Sequence, residues 1–336
     1  MRTHILGRTG LEVSVVGFGG IPLQGNSRDE AARIVERAVE TGITFFDSAR
    51  GYTDSEEKLG LVLSRHRARV VIATKSLARD KGDMARDIIT SLGLLRTDVI
   101  DLYQAHSVGT QADLDRVLGP GGAYEALDAA RRAGKVRFIG ITGHSRPVLQ
   151  RAVETGLFDT VQHPFNFLET DWLTDVIPAA RRIGLGVIGM KPVAGGALSR
   201  VAAASVRFAI SRGVDVAIPG MDAMAQVDEN ARAGADAGEL RPDELSALEA
   251  EKERWGGAFC HRCGYCTPCP NGLNIPFLFL IEAYYTRYEL RDWALARLAG
   301  LGRKYADCAA CGECLAKCPY GLPIPDLMAK AASAVR

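Results

Sequence analysis

Eight cysteines in this chain could ligate metal, and all of them fall within its last third. Cys260, Cys263, Cys266 and Cys269 form one block, closed by Pro270; Cys308, Cys311, Cys314 and Cys318 form a second, closed by Pro319. The second block reads C-x2-C-x2-C-x3-C-P, a ligand run in which three thiolates hold one iron-sulfur cluster and the fourth holds another. The first block is one residue shorter before its last cysteine. A [4Fe-4S] cube takes four soft thiolates from a wrapped loop, and small residues such as Gly264, Ala309 and Gly312 let backbone amides approach the sulfurs. On the crossed pattern, one cluster takes Cys260, Cys263, Cys266 and Cys318, and the other takes Cys308, Cys311, Cys314 and Cys269.

Two other uses of the thiols fit less well. A structural zinc site pairs two CxxC knuckles across a longer gap, whereas here four cysteines stand close together, twice. A disulfide framework needs an oxidising compartment, and residues 1–20 carry Arg2, His4 and Arg8 but no uninterrupted apolar core. The expected location is the cytoplasm, where thiols stay reduced. The 336 residues suggest about two domains. A net charge of +1 gives no electrostatic argument for nucleic acid or an anionic membrane. No apolar run approaches the roughly 20 residues that span a bilayer.

The elements that must position this chemistry follow from an alternation. Residues 3–15 predict a hairpin around Gly7–Gly10. Eight short apolar runs then follow: Val15–Gly19, Thr44–Asp47, Val70–Lys75, Val99–His106, Val136–Thr142, Thr160–Asn166, Val187–Val193 and Val216–Pro219. Between them lie amphipathic stretches, several closed by glycine (Gly42, Gly134, Gly184, Gly213), with Ser55 expected to cap the helix Glu56–Arg65. Near-continuous apolar strands covered by helices argue for a parallel sheet, and eight such units close into a (β/α)8 TIM barrel. An open doubly wound sheet is the runner-up, but Pro22 follows Gly17-Phe18-Gly19-Gly20 and spoils the helix start that its glycine fingerprint needs. The division expected is a barrel over 1–240, a linking helix over 241–256, and a mostly helical, two-cluster domain over 257–336. Within the last, Phe277, Leu280, Ile281, Tyr284 and Tyr285 offer an apolar face toward the barrel.

A barrel does its chemistry at the C-terminal ends of its strands. Those ends offer Asp47, Lys75 and His106, with Tyr52 in the loop after Asp47. The chain here resembles the aldo-keto reductase family. Phe46–Tyr52 resembles its Asp-to-Tyr segment, and Ile72–Lys75 and Asp101–His106 resemble its lysine and histidine strands. Gly134–Gly140, Gln162, Asn166, Ile218-Pro219-Gly220 and Glu229-Asn230 match in order. The cysteine region, with Tyr265–Pro270, resembles the branch of that family with a ferredoxin-like C-terminal domain.

That resemblance implies an NADPH- or NADH-dependent oxidoreductase acting on a small carbonyl substrate. Tyr52 would be the general acid. Lys75 would lower its pKa, Asp47 would hold Lys75, and His106 would orient the carbonyl. Cofactor contacts would fall at Thr142, His144, Gln162, Asn166, Lys191, Gly220, Gln226, Glu229 and Asn230. Three positions depart from the family pattern. His144 stands where an asparagine is usual. Met190 replaces a stacking tyrosine, which also raises a flavin alternative. Met221 and Gln226 stand where phosphate-selective members place lysine and arginine. Two [4Fe-4S] clusters can together hold the two electrons of one hydride, so electron transfer to a redox protein partner is expected. The alternatives are structural or oxygen-sensing clusters, or an electron-transfer or interaction protein with an inactive barrel.

Overall fold

A computed structural model describes residues 1–236, 238–255 and 258–336. The chain opens with a hairpin of β1 (Thr3–Ile5) and β2 (Glu12–Ser14). Eight strands follow: β3 (Phe18–Gly19), β4 (Phe45–Asp47), β5 (Val71–Ser76), β6 (Ile100–Ala105), β7 (Val136–Thr142), β8 (Thr160–Pro164), β9 (Gly186–Met190) and β10 (Val216–Ile218). They pair in sequence order, each parallel to the next. Parallel bridges Val16–Ala217 and Gly19–Gly220 join the first edge to the last, so the sheet closes on itself as the expected barrel.

Alternation along the strands sorts two cores. Phe45, Ala73, Leu102, Ile188 and Val216 fill the barrel, and Leu6, Leu11 and Val13 of the hairpin join that cluster as its stopper. Phe46, Ile72, Tyr103, Ile139, Val161 and Val187 belong to the larger core shared with the helices. These helices are α1 (Arg28–Glu40), α2 (Ser55–Leu63), α3 (Lys81–Leu95), α4 (Gln111–Leu118), α5 (Ala123–Arg132), α6 (Arg146–Glu154), α7 (Val176–Arg182), α8 (Ala202–Ser211) and α9 (Met224–Ala235).

Some expected boundaries shift for local reasons. The first strand shortens to Phe18–Gly19, with Val16 held only by its bridge. Ser55 does not cap α2; Asp54 holds that position. The Ser55 hydroxyl donates instead to Gly20 O at 2.8 Å, tying the helix to the β3 exit. Helix α4 was not expected; Thr110 and Asp113 form a capping box that starts it. A 3₁₀ turn over Asp171–Leu173 precedes α7, whose start is set by the Asp175 carboxylate accepting from Val176 N–H at 2.6 Å.

The C-terminal region is helical: α10 (Pro242–Trp255), α11 (Ile275–Thr286), α12 (Arg291–Ala299), α13 (Glu313–Lys317) and α14 (Ile324–Ala334). The boundary expected after residue 256 lies outside the described residues. Helix α11 is apolar apart from Glu282 and Thr286 because it serves two cores. Leu278 and Phe279 pack with Met328 and the cysteine loops. Ile281 and Tyr284 pack with Ile21 at the barrel rim, as the sequence pattern implied.

Candidate active site and cysteine loops

Asp47 closes β4, Lys75 stands one residue before the end of β5, and His106 follows β6. The strand register places Asp47 beside Ala73 and Lys75 beside Gln104, so these ends meet at one rim. Lys75 Nζ forms an ion pair with the Asp47 carboxylate and donates to Ser48 O at 2.6 Å. It lies 5.2 Å from the centroid of the Tyr52 ring. The Tyr52 and His106 rings meet edge to face, with centroids 5.7 Å apart. The four residues proposed from the sequence therefore come together. Gln104, not singled out in the sequence, braces them: its Nε2 donates to Gln162 Oε1 at 2.9 Å and to Asp47 Oδ2 at 3.3 Å. A polar side chain inside an apolar strand was the available signal.

Burial sets the electrostatics. It raises the Asp47 carboxyl and lowers the Lys75 ammonium, while the contact between them opposes both changes. Tyr52 departs from expectation. Burial first, then the Asp47 carboxylate, push its phenol well above the ordinary range, and Arg297 pulls it the other way. Burial, then Lys75, Arg79, Arg297 and Lys191, push His106 well below the ordinary histidine range, leaving a neutral imidazole. Its Nδ1 is buried without a partner among the described residues.

The residues expected at a cofactor form two groups. Around the ends of β8 and β9, Gln162 Nε2 lies 3.8 Å from Met190 Sδ, and Lys191 Nζ lies 2.9 Å from His144 Nε2. Asn166 spends its amide on its own loop: Nδ2 donates to Glu169 at 2.8 Å and Lys191 O at 3.1 Å, and Oδ1 accepts from Leu168 and Glu169 N–H. Thr142 Oγ1 accepts from Ser107 N–H at 2.9 Å and fixes the β6 exit. The second group lies after β10. Gly220 pairs with Gly19, and a Cβ there would stand 2.7 Å from Pro22, so glycine is required. Gln226 Oε1 accepts from Asp222 N–H at 2.8 Å and closes the turn into α9. On α9, Glu229 is exposed, and Asn230 is buried with Oδ1 unpartnered among the described residues. Trp172 is buried and stacks on His163 at 4.3 Å in the core.

Helices α11 and α12 reach over the barrel mouth. Arg297 donates to Gly51 O at 3.2 Å, Arg287 to Gly195 O at 3.1 Å, and Trp255 to Ala197 O at 2.8 Å. Gly195 sits at φ +62°, and a Cβ there would meet Tyr288 at 3.2 Å. Arg262, between two cysteines of the first block, donates to both carboxylate oxygens of buried Glu169 at 3.0 Å. His261 stacks on Tyr320 at 3.7 Å, and Tyr320 hydrogen-bonds Asp171. These contacts join residues far apart in sequence, and no local pattern announced them.

The two cysteine loops repeat one backbone design. In Cys260–Gly264, Arg262 and Gly264 have φ of +58° and +85°; in Cys308–Gly312, Ala310 and Gly312 have +50° and +80°. In each loop one cysteine separates the two left-handed residues, a repeated turn of the kind that can aim backbone amides at anionic sulfur. Arg262 N–H donates to Cys260 Sγ at 3.4 Å. Cys269, Cys308, Cys311 and Cys314 line one cavity with Leu273, Ile275 and Met328. Cys260, Cys263 and Cys318 are the thiols that act on Cys266. The grouping matches the crossed pattern. Burial pushes the Cys260 thiol up to about 11 and Cys266 up to about 12. A cysteine that holds a metal must be a thiolate, so iron binding here would displace these protons. The donor set thus fits two cubes, and no cluster of three or more His, Cys, Asp or Glu suited to a single metal ion occurs among the described residues.

Comparison with known proteins gives two family matches. Residues 15–202 match the Aldo/keto reductase family, and residues 259–322 match a 4Fe-4S dicluster domain. An uncharacterized oxidoreductase, YrpG, of Bacillus subtilis (strain 168) is 33% identical over 229 residues, 59% of this chain and 68% of its own. L-galactose dehydrogenase of Arabidopsis thaliana is 32% identical over 213 residues, 58% of this chain and 66% of its own. These matches span about two thirds of each relative's length. An aldo-keto reductase of Bacillus halodurans in its holo form shares the fold, with a TM-score of 0.64 at 23% identity over 75% of this chain and 96% of its own. So does an aldo-keto reductase from Klebsiella pneumoniae in complex with NADPH, with a TM-score of 0.64 at 23% identity over 74% and 95%. No helix among the described residues is long and apolar enough to cross a membrane.

Proposed function

Because the chain belongs to the aldo/keto reductase family and carries a 4Fe-4S dicluster domain, we propose that it interconverts a carbonyl compound and its alcohol with NADPH or NADH. We further propose that it exchanges the electrons through two [4Fe-4S] clusters. The observation that carries this reading is the buried Asp47–Lys75 pair beneath Tyr52, with neutral His106 edge-on to the same ring.

When bound, the nicotinamide would supply a hydride whose two electrons end in the alcohol; with no carbonyl compound present, the two clusters would take one electron each from such a hydride and its proton would pass to water. Everything else falls to the chain's own groups. As negative charge grows on the carbonyl oxygen, the Tyr52 hydroxyl gives it a proton, forming the alcohol O–H bond and leaving a phenolate. A phenol held well above its ordinary range is fully protonated beforehand, and an alkoxide is basic enough to take the proton. The Lys75 ammonium faces the ring on which the negative charge is left, and Asp47 and Ser48 O hold that ammonium in place. A water proton then restores the phenol. Neutral His106 donates a hydrogen bond to the same oxygen. Lys191 and His144 are the candidates for the cofactor's pyrophosphate, and Gly220 and Asn230 for its adenine end. The thiols would act in a reducing compartment such as the cytoplasm, with a redox protein as electron partner.

Anaerobically purified protein with iron and sulfide counts of two cubes should bleach in the visible on mixing with NADPH or NADH. No spectral change would remove the coupling. Tyr52→Phe should lower carbonyl reduction by about 10²- to 10⁴-fold with the clusters intact; an unchanged rate would remove the acid assignment.

A further inference from the structure

We propose that Arg297 of the C-terminal domain is the substrate-recognising cation at the barrel mouth, and that the compound reduced there is a small oxo acid whose carboxylate lies close to its carbonyl. This rests on Tyr52 and His106 being the reacting end of the site. Arg297 lies 246 residues beyond Gly51 in sequence, yet its Nη2 donates to Gly51 O at 3.2 Å, one residue from Tyr52. Its guanidinium lies 3.9 Å from the Trp293 ring centroid, which fixes the plane of the fork.

The charges around it do not balance. At His106 the facing cations are Lys75, Arg79, Arg297 and Lys191. Asp47 answers Lys75, and Asp113 answers Arg79. Farther out, Glu169 answers Arg262 and Glu282 answers Arg287. Arg297 and Lys191 form no ion pair with a carboxylate among the described residues, and Arg297 Nε is buried without a partner. Lys191 stands on the β9 side with His144, where the cofactor reading uses it. Arg297 stands on the Tyr52 side, where the substrate must enter. A half-buried guanidinium whose Nε is cut off from water favours an anion that replaces that water, and its fork matches a carboxylate with two parallel hydrogen bonds.

The test uses cluster-loaded full-length protein and a matched pair, pyruvate and methyl pyruvate, which differ in charge but keep the reacting carbonyl. Wild type should prefer the acid in kcat/KM. In Arg297→Gln the acid-to-ester ratio should fall by about 10- to 100-fold, mostly through KM of the acid, and Arg297→Lys should restore part of it. Calorimetric binding of oxalate, which needs no turnover, should weaken to a similar degree. If Arg297 only pins α12 to Gly51, both substrates lose rate together, the ratio stays, and the proposal is overturned. It is overturned equally if Arg297→Gln raises KM for NADPH and leaves oxalate binding alone. Wild type that binds oxalate through Arg297 but reduces neither compound would keep this anion site and sink the carbonyl-reductase reading instead.

Discussion

Tyr52 shows how one side chain takes its properties from burial more than from its nearest cation. Lys75 lies 5.2 Å from its ring centroid, yet burial and then Asp47 push the phenol well above its ordinary range, against the pull of Arg297, and keep it protonated. The same force acts on His163, fully buried against Trp172, where burial lowers the imidazole from 6.5 to about 4. The unfolded chain then takes up the proton first as pH falls. The neutral-state stability is present above about 6.5 and is lost as pH falls toward 4. Between pH 7 and pH 5 the loss from this group is about 2 kcal/mol. Urea unfolding followed by tryptophan fluorescence should show it, and His163→Gln should flatten the slope by about that amount. Parallel slopes would mean another group carries the acid sensitivity.

Single elements owe their form to what lies on each side of them. Helix α11 is apolar apart from Glu282 and Thr286 because one side meets the cysteine loops and the other meets the barrel rim. Leu278 is fully buried on the cysteine side. Leu278→Ala should therefore destabilise by about 2–5 kcal/mol and loosen the C-terminal region before the barrel. Denaturant unfolding monitored by cluster absorbance and by far-ultraviolet circular dichroism would separate the two; coincident transitions with no shift would contradict it. The cysteine loops make a second prediction at this scale. If fourth ligands cross, Cys318→Ser and Cys263→Ser should perturb one electron paramagnetic resonance signal, and Cys269→Ser and Cys311→Ser the other. Paired effects of Cys318 with Cys311 would break that assignment.

At the scale of the whole molecule, the C-terminal region does more than append clusters to a barrel. Its Arg262 holds Glu169, which Asn166 also holds beside Lys191. Its Arg297 stands beside Tyr52. The first cysteine loop is thus tied through Arg262 to Glu169, Asn166 and the backbone of Lys191, and α12 is tied separately through Arg297 to the loop that carries Tyr52.

Patterns of period and spacing were sufficient for the barrel, because strands buried on both sides must be apolar and helices between them must show one apolar face. Ligand spacing was sufficient for the cysteine sets, because a cube fixes how far apart its thiolates stand. Asp47, Tyr52, Lys75 and His106 could be picked out because strand ends are where such a fold exposes polar groups. Local sequence failed where a side chain had two competing partners: Ser55 bonds Gly20 rather than capping its helix. It was silent on Arg297, Arg262 and Gln104, whose partners come from distant segments. Only the folded chain decides which cations lack a counter-ion and how far burial moves Tyr52, because charge balance and desolvation belong to a place in space rather than to a position in a sequence.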